Sequence, residues 1–237
     1  MGMGLFGGYG LYILISLPAL ILGFWAQIKV SIAFNKYSRV RNYVGLSGAE
    51  VARRMLDQHG LRHIAIQETP GRLSDHYDPR AKILRLSPEI FRSSSLAAAG
   101  VAAHEAGHAI QDAESYAPLK MRSLMIPSVQ IGSWAGPIIF IVGLLMASAA
   151  GTTIAWAGLL LFSLTAIFSL VTLPVELDAS NRAKAWLSNS GVVYSTEIQG
   201  VSSVLSAAAL TYVAAAVQSL STILYYAMLL TGRSRDD

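Results

Sequence analysis

The 237-residue sequence predicts a mainly α-helical integral membrane protein, with about four transmembrane helices and a small α+β domain on the cytoplasmic side. Three observations lead there. Residues of the AVILMFWYC class make up 53% of the chain and charged residues 14%, against about 25% charged in an ordinary soluble domain. The apolar residues, which lift the mean hydropathy to +0.48, gather into four stretches long enough to cross a hydrocarbon core of about 30 Å. The charge gathers elsewhere: 14 of the 18 Lys and Arg residues, with nine of the 14 acids, lie between residues 29 and 122. A basic block beside apolar spans follows the positive-inside rule, which assigns it to the cytoplasm.

The first stretch, residues 5–28, carries no charge. It reads as a retained anchor rather than a cleaved leader, because it lacks a basic n-region, its apolar run is too long, and no small-x-small cleavage site follows. Residues 1–28 are therefore expected to form the N-terminal transmembrane anchor, with Tyr9, Tyr12 and Trp25 suited to the interfacial belts. Residues 29–128 read as the cytoplasmic domain. Ser47-Gly48-Ala49-Glu50 is a capping box, Val51, Met55 and Leu56 follow at helical spacing, and Gly60 stops that helix. Residues 64–67 and 82–87 read as two short strands separated by the turn chemistry of Thr69-Pro70-Gly71. The segment DHYDP at residues 75–79 reads as the connection into the second strand. Ser93 to Ser95 then offer N-caps for the helix LAAAGVAAHEAGHAIQDAES, which runs to about Ser115.

Residues 116–128 read as a partly amphipathic link lying along the membrane surface. Residues 129–175 are expected to form a transmembrane hairpin, with spans at 129–149 and 152–175 turned at Gly151 and its neighbours. Residues 176–200 form a short polar segment. Residues 201–237 hold the last span and a tail, and that span is rich in the Ala, Ser and Thr that let helix backbones approach in lipid. With the basic block in the cytoplasm, two further crossings return residue 176 to the same side.

His104-Glu105-Ala106-Gly107-His108 is an H-E-x-x-H pattern. Residues four apart share a helix face, so both imidazoles reach a single ion. Glu105 is turned by about 100° from His104, which places its carboxylate where it can take a proton from a water acidified by the cation. Gly107 and Ala106 are small and leave room around the ion. The competing reading is two histidines that cap or pack a helix without metal, and the helical context favours the metal. A catalytic zinc takes three protein ligands and keeps one position open. Glu176, after Pro174, is a candidate for the third, although an acid ending a span can be a plain interfacial charge. Asp178 lies nearly opposite Glu176 on a helix, so the two do not serve one ion. His59 and His63 read as surface residues, and His76 as a ligand, a substrate contact or a turn residue.

A wider set of segments resembles the YugP-type family of bacterial membrane zinc metallopeptidases. They are FNKYS (34–38), LSGAEVA (46–52), DHYDPR (75–80), LRLS (84–87), AHEAGHAIQ (103–111), YAPL (116–119), TLPVELDAS (172–180) and AALTYVA (208–214). They cover nearly the whole chain in order. The family is similar to gluzincins, and the resemblance implies a zincin-like fold for the cytoplasmic domain, one Zn2+ per chain, and Glu176 as third ligand beside His104 and His108. Many gluzincins place an aspartate four residues after that glutamate to orient a ligand histidine. Here the position is Ser180 and the nearby acid is Asp178, so either can carry that hydrogen bond. The strand at residues 82–87 is expected to be the sheet edge that pairs with substrate backbone. Arg182, His76 and Tyr77 are candidate oxyanion donors, with a positive-inside anchor as the other role for Arg182.

The expected activity is a zinc-dependent endopeptidase of the bacterial inner (plasma) membrane, multi-pass, cutting membrane-associated or misfolded proteins at the cytoplasmic face with Glu105 as general base. A non-catalytic zinc-binding scaffold or sensor is the alternative. Expected partners are a peptide or protein substrate and the lipid bilayer. Nucleic acid is excluded, since the bases are scattered and no binding motif accompanies them. The absence of cysteine rules out disulfides and thiolate ligands. A transporter is disfavoured because the spans hold essentially no ionisable residues.

Overall fold

The computed structural model describes residues 5–146 and 148–233, so the outermost residues of the expected first and last segments lie outside the described ones. The chain forms α1 (Leu5–Tyr37), α2 (Gly48–Gln58), β1 (Ala65–Glu68), β2 (His76–Asp78), β3 (Ile83–Leu86), α3 (Pro88–Arg92), α4 (Leu96–Ala113), α5 (Ala117–Leu145), α6 (Ala149–Asn189) and α7 (Ile198–Arg233). Four of these, α1, α5, α6 and α7, are long and apolar enough to cross a membrane. The fold is dominantly helical with one small sheet.

Three helices outrun the apolar stretches that announce them. α1 continues to Tyr37 and α6 to Asn189, and the expected surface link at 116–128 is instead the first part of α5. Hydropathy reports where side chains change from lipid to water, whereas these segments stay helical across that change, with Pro127 accommodated inside α5. Pro118 sits in the first turn of α5, where its missing N–H is not needed. Beyond Pro174, α6 is polar in composition yet keeps one buried face, formed by Val175, Ala179, Ala183 and Leu187 at four-residue spacing. Gly151 lies inside α6 rather than at the turn of the hairpin.

The helical chain is divided between two compact units. One comprises the described parts of Met1–Trp25, Met121–Leu173 and Thr211–Asp237. Its α5–α6 hairpin is closed by small residues: an added Cβ would meet the backbone of Leu161 at Gly132, of Phe162 at Gly136, and of Ala155 and Gly151 at Gly143. Such backbone approach replaces the missing hydrophobic drive between helices in lipid. Phe140 stacks on Tyr226 at 4.0 Å beside buried Ala155, Leu159 and Leu230, and Tyr12 meets Tyr225 at 4.8 Å. The Tyr9 side chain lies outside the described residues.

The second unit, Ala26–Lys120 with Pro174–Leu210, carries the sheet and α4. α2 begins as expected: Glu50 N–H donates to Ser47 Oγ at 3.3 Å, and Ser47 N–H to Glu50 Oε2 at 2.7 Å. Gly60 leaves the helix with φ +75°. Buried Asn42 donates to Leu46 O and Ser94 O and accepts from the N–H groups of Gly45 and Leu46, which seats the loop after α1 on the start of α4. α4 is capped by Ser95 and is almost entirely buried.

The sheet corrects two expectations. Its order is β1-β3-β2, with β1 parallel and β2 antiparallel to β3. The DHYDP segment is a strand rather than a connection, because Asp78 Oδ1 accepts from Arg80 and Ala81 N–H at 3.0 and 3.1 Å and closes a tight turn into β3. The strand within residues 82–87 is therefore central, paired on both sides, and the edges are β1 and β2.

Gly143→Val is expected to destabilise the detergent-solubilised protein by about 1–3 kcal/mol, since its Cβ would fall on the backbone of Ala155 and Gly151. Gly23→Ala, where an added Cβ meets nothing within 4 Å, is expected to leave stability unchanged or raise it by up to about 1 kcal/mol. Thermal melting compares the two. A Gly143→Val protein that melts with wild type would remove the glycine seam as the closure of the hairpin.

Candidate metal centre

Residues from α4 and α6 converge in the second unit. His104 and His108, one turn apart on α4, share a face, with ring centroids 4.8 Å apart. Glu176 on α6 enters between them and places Oε2 3.1 Å from His104 Nε2 and 3.5 Å from His108 Nε2. Ligands about 2.1 Å from a tetrahedral zinc stand about 3.4 Å from one another. The two distances bracket that value, and the three donor atoms lie within 4.8 Å of one another. Two imidazole nitrogens and a carboxylate, without sulfur, form the three-ligand set that leaves a zinc one open position. The residues fit the ion.

The close approach has an identifiable cause. A Cβ added to Gly107 would lie 2.9 Å from Ala179 O and 3.2 Å from Ala179 Cα. The glycine inside the motif thus makes room for the backbone of α6 rather than for the ion, and α6 brings Glu176 within reach of α4. Glu176 is only 2% exposed. An isolated carboxylate buried so deeply is unfavourable, and the two imidazoles offset that.

Further hydrogen bonds orient the ligands. Ser180 Oγ lies 3.1 Å from His104 Nδ1, and Gln111 Oε1 lies 2.9 Å from His108 Nδ1. Donation from each Nδ1 to its oxygen would leave the Nε2 lone pairs available to an ion. Asp178 acts one residue removed: its Oδ2 accepts from Gln111 Nε2 at 2.7 Å and from Arg182 Nε at 2.6 Å. The two residues left open by the sequence, Ser180 and Asp178, therefore stand behind different histidines. Burial works against a protonated His108, but the contact with Glu176 and the fields of Glu105 and Glu176 outweigh it and raise its pKa. The same negative field favours a divalent cation.

Glu105 is mostly buried, and its Oε2 accepts the Tyr77 N–H of β2 at 3.1 Å. The sheet edge beside the motif is therefore β2. The Tyr77 hydroxyl donates to Asp112 Oδ2 at 2.7 Å, and burial together with that carboxylate pushes the phenol pKa up, so it stays a neutral donor. Lys82 Nζ pairs with the same carboxylate. Arg182 is engaged by Asp178 and by Glu114, 2.8 Å from its Nη1. His76 is exposed, with Nδ1 2.8 Å from Ser74 O and Nε2 3.5 Å from Arg85 Nη1. Among the described residues, His59, His63 and His76 do not join the ligand group. Gln111 and Asp112, three and four residues after His108, were the partners the motif did not flag. Their shared helix face with His108 was the available signal.

A family model described as "Putative neutral zinc metallopeptidase" matches residues 12–231, which include every residue of this cluster. The chain belongs to that family. It is also 44% identical over 227 residues to "Putative membrane protease YugP" of Bacillus subtilis (strain 168), an alignment that takes in 95% of this chain and 100% of that protein. No solved structure matches the chain.

Gly107→Val is expected to weaken zinc retention by at least about 10-fold while α4 stays helical, because the α6 backbone must withdraw. Chelator competition followed alongside circular dichroism measures both. Wild-type affinity in that variant would mean that the close approach does not set the ligand spacing.

Proposed function

We propose that the protein is a zinc-dependent endopeptidase of a bacterial cell membrane, with a gluzincin-like set of His104, His108 and Glu176 and with Glu105 as general base. The observation that carries this reading is the placement of Glu105, one residue from a ligand, with one carboxylate oxygen already held by Tyr77 N–H. A bound zinc supplies Lewis acidity, polarising a peptide carbonyl and acidifying water. Glu105 Oε1, left over by the Tyr77 contact, takes a proton from the attacking water. The carbonyl carbon gains the new C–O bond, and as the C–N bond breaks the same carboxylic acid returns the proton to the departing amine nitrogen. His104 and His108 keep their Nε2 lone pairs turned to the ion through their Nδ1 partners, and Glu176 completes the ligand set.

The substrate class follows from the setting: peptide bonds of membrane-associated or misfolded proteins at the cytoplasmic face. Sequence supports that side. The basic block at 29–122 follows one span, and two spans separate it from Glu176; that parity supports one side of the membrane for both halves of the ligand set, and the charge bias favours the cytoplasmic one.

Glu105→Gln is expected to lower peptide hydrolysis by about 10²–10⁴-fold while it, like wild type, is expected to hold close to one zinc per chain. Hydrolysis undiminished in that variant would end the general-base role, and cellular function retained without hydrolysis would favour a scaffold or sensor. For orientation, the chain has no cysteine of its own. Single cysteines at exposed Arg80 and Ser195 are expected to resist a membrane-impermeant thiol reagent in intact cells and to react after lysis. Labelling in intact cells would reverse the topology.

A further inference from the structure

The side chain of Gln111 is fully buried, yet it is polar and makes three hydrogen bonds. Its Nε2 donates to Val175 O at 2.8 Å and to Asp178 Oδ2 at 2.7 Å. Both of those atoms are acceptors only, so the amide cannot be turned over: the flipped form would set its oxygen against a carbonyl and a carboxylate. The oxygen must then face His108 Nδ1, 2.9 Å away, and an amide oxygen accepts but does not donate. His108 consequently carries a proton on Nδ1, which leaves Nε2 as the ring atom that can bind an ion. One side chain thus decides the tautomer of a ligand on α4.

It also reaches the other helix next to the second kind of ligand. Val175 precedes Glu176 directly, so the Gln111 amide binds the backbone of α6 one residue before the carboxylate. The chain of contacts continues through Asp178 to Arg182 and returns to the C-cap of α4 at Glu114, which closes a polar ring around the pair of helices. Residues 108, 111 and 114 at the end of α4 face residues 175, 178 and 182 on α6. A neutral amide suits this place in a way a carboxylate would not. A zinc ion with Glu105 and Glu176 is already balanced in charge, and a third acid beside Asp178 would repel it.

We propose that Gln111 is a positioning residue: it holds His108 in the metal-binding tautomer and ties that ring to the turn of α6 that carries Glu176. The proposal rests on the zinc site described above.

The test uses the full-length chain in detergent, with zinc affinity read by chelator competition, stability by thermal melting of the metal-free protein, and the Co2+-substituted absorption spectrum as a signature of ligand geometry. Gln111→Met, close in shape but without any of the three hydrogen bonds, is expected to raise the zinc Kd about 10–100-fold and to alter the Co2+ spectrum. Gln111→Glu, which keeps an acceptor for His108 but places a carboxylate against Val175 O and Asp178, is expected to be impaired as well. Gly100→Ala serves as the comparison, because its Cβ presses on Val201 3.2 Å away, on a different helix from the third ligand, and should shift the melt without moving the Kd. A Gln111→Met protein that melts lower but binds zinc and Co2+ as wild type does would make the residue a helix tie alone and overturn the proposal. Should the variants fail to fold, ¹⁵N shifts of the His108 ring in zinc-loaded wild type decide the matter: an Nδ1–H, Nε2-bound ring is expected, and an Nε2–H ring overturns it. Wild type that binds no zinc would instead overturn the metal site, and this proposal with it.

Discussion

A carboxylate in a protein interior is stable only where enough positive or donating groups surround it. Glu176 meets that requirement by lying between two imidazoles, and the meeting needs α4 and α6 to touch at the backbone. The contact at Gly107 and Ala179 provides it. Much else in the second unit serves the same junction. Small residues line α4, Asn42 pins its start, and the Asp178–Arg182–Glu114 bridge ties its end to α6. The sheet contributes through one bond, the Tyr77 amide that holds Glu105.

The same device, glycine against backbone, recurs in the other unit for a different physical reason. At Gly132, Gly136 and Gly143 the surroundings are taken to be lipid, where burial of apolar surface gives no preference for helix against helix and close packing must supply it. At Gly107 the close approach delivers a charged ligand. α6 takes part in both: its part before Pro174 carries the hairpin seam, and its part from Pro174 on carries Glu176.

Local chemistry was the legible part of the sequence. The Ser47 capping box, Gly60 and the Ser95 cap each act within a few residues and stand in the structure as expected, and the H-E-x-x-H spacing brings the rings of His104 and His108 together on α4. Glu176 is not legible in that way, since it lies 72 residues from His104: the residues alone make it one candidate beside an interfacial charge, and the family resemblance is what implies it as the third ligand. Strand β2 was missed because its three residues sit between Asp75 and Pro79, and such flanks read as a turn, so the edge of the sheet was assigned to the wrong strand. Helix ends were misjudged where polarity changed but helix propensity did not, as after Pro174. Gly107 reads in the sequence as space for an ion because a sequence shows which residue is small, not which neighbour uses the gap.

The distance in sequence between the ligands has a consequence for biogenesis. Two of them are in place once α4 has been synthesised, but the third arrives only after α5 and most of the apolar part of α6. A nascent or truncated chain ending before residue 176 holds an incomplete donor set, with the lower ion affinity that two ligands give. Completion of the centre is thereby tied to translation of the third helix capable of crossing the membrane, and a ribosome-bound or mis-inserted fragment would be born without a complete centre.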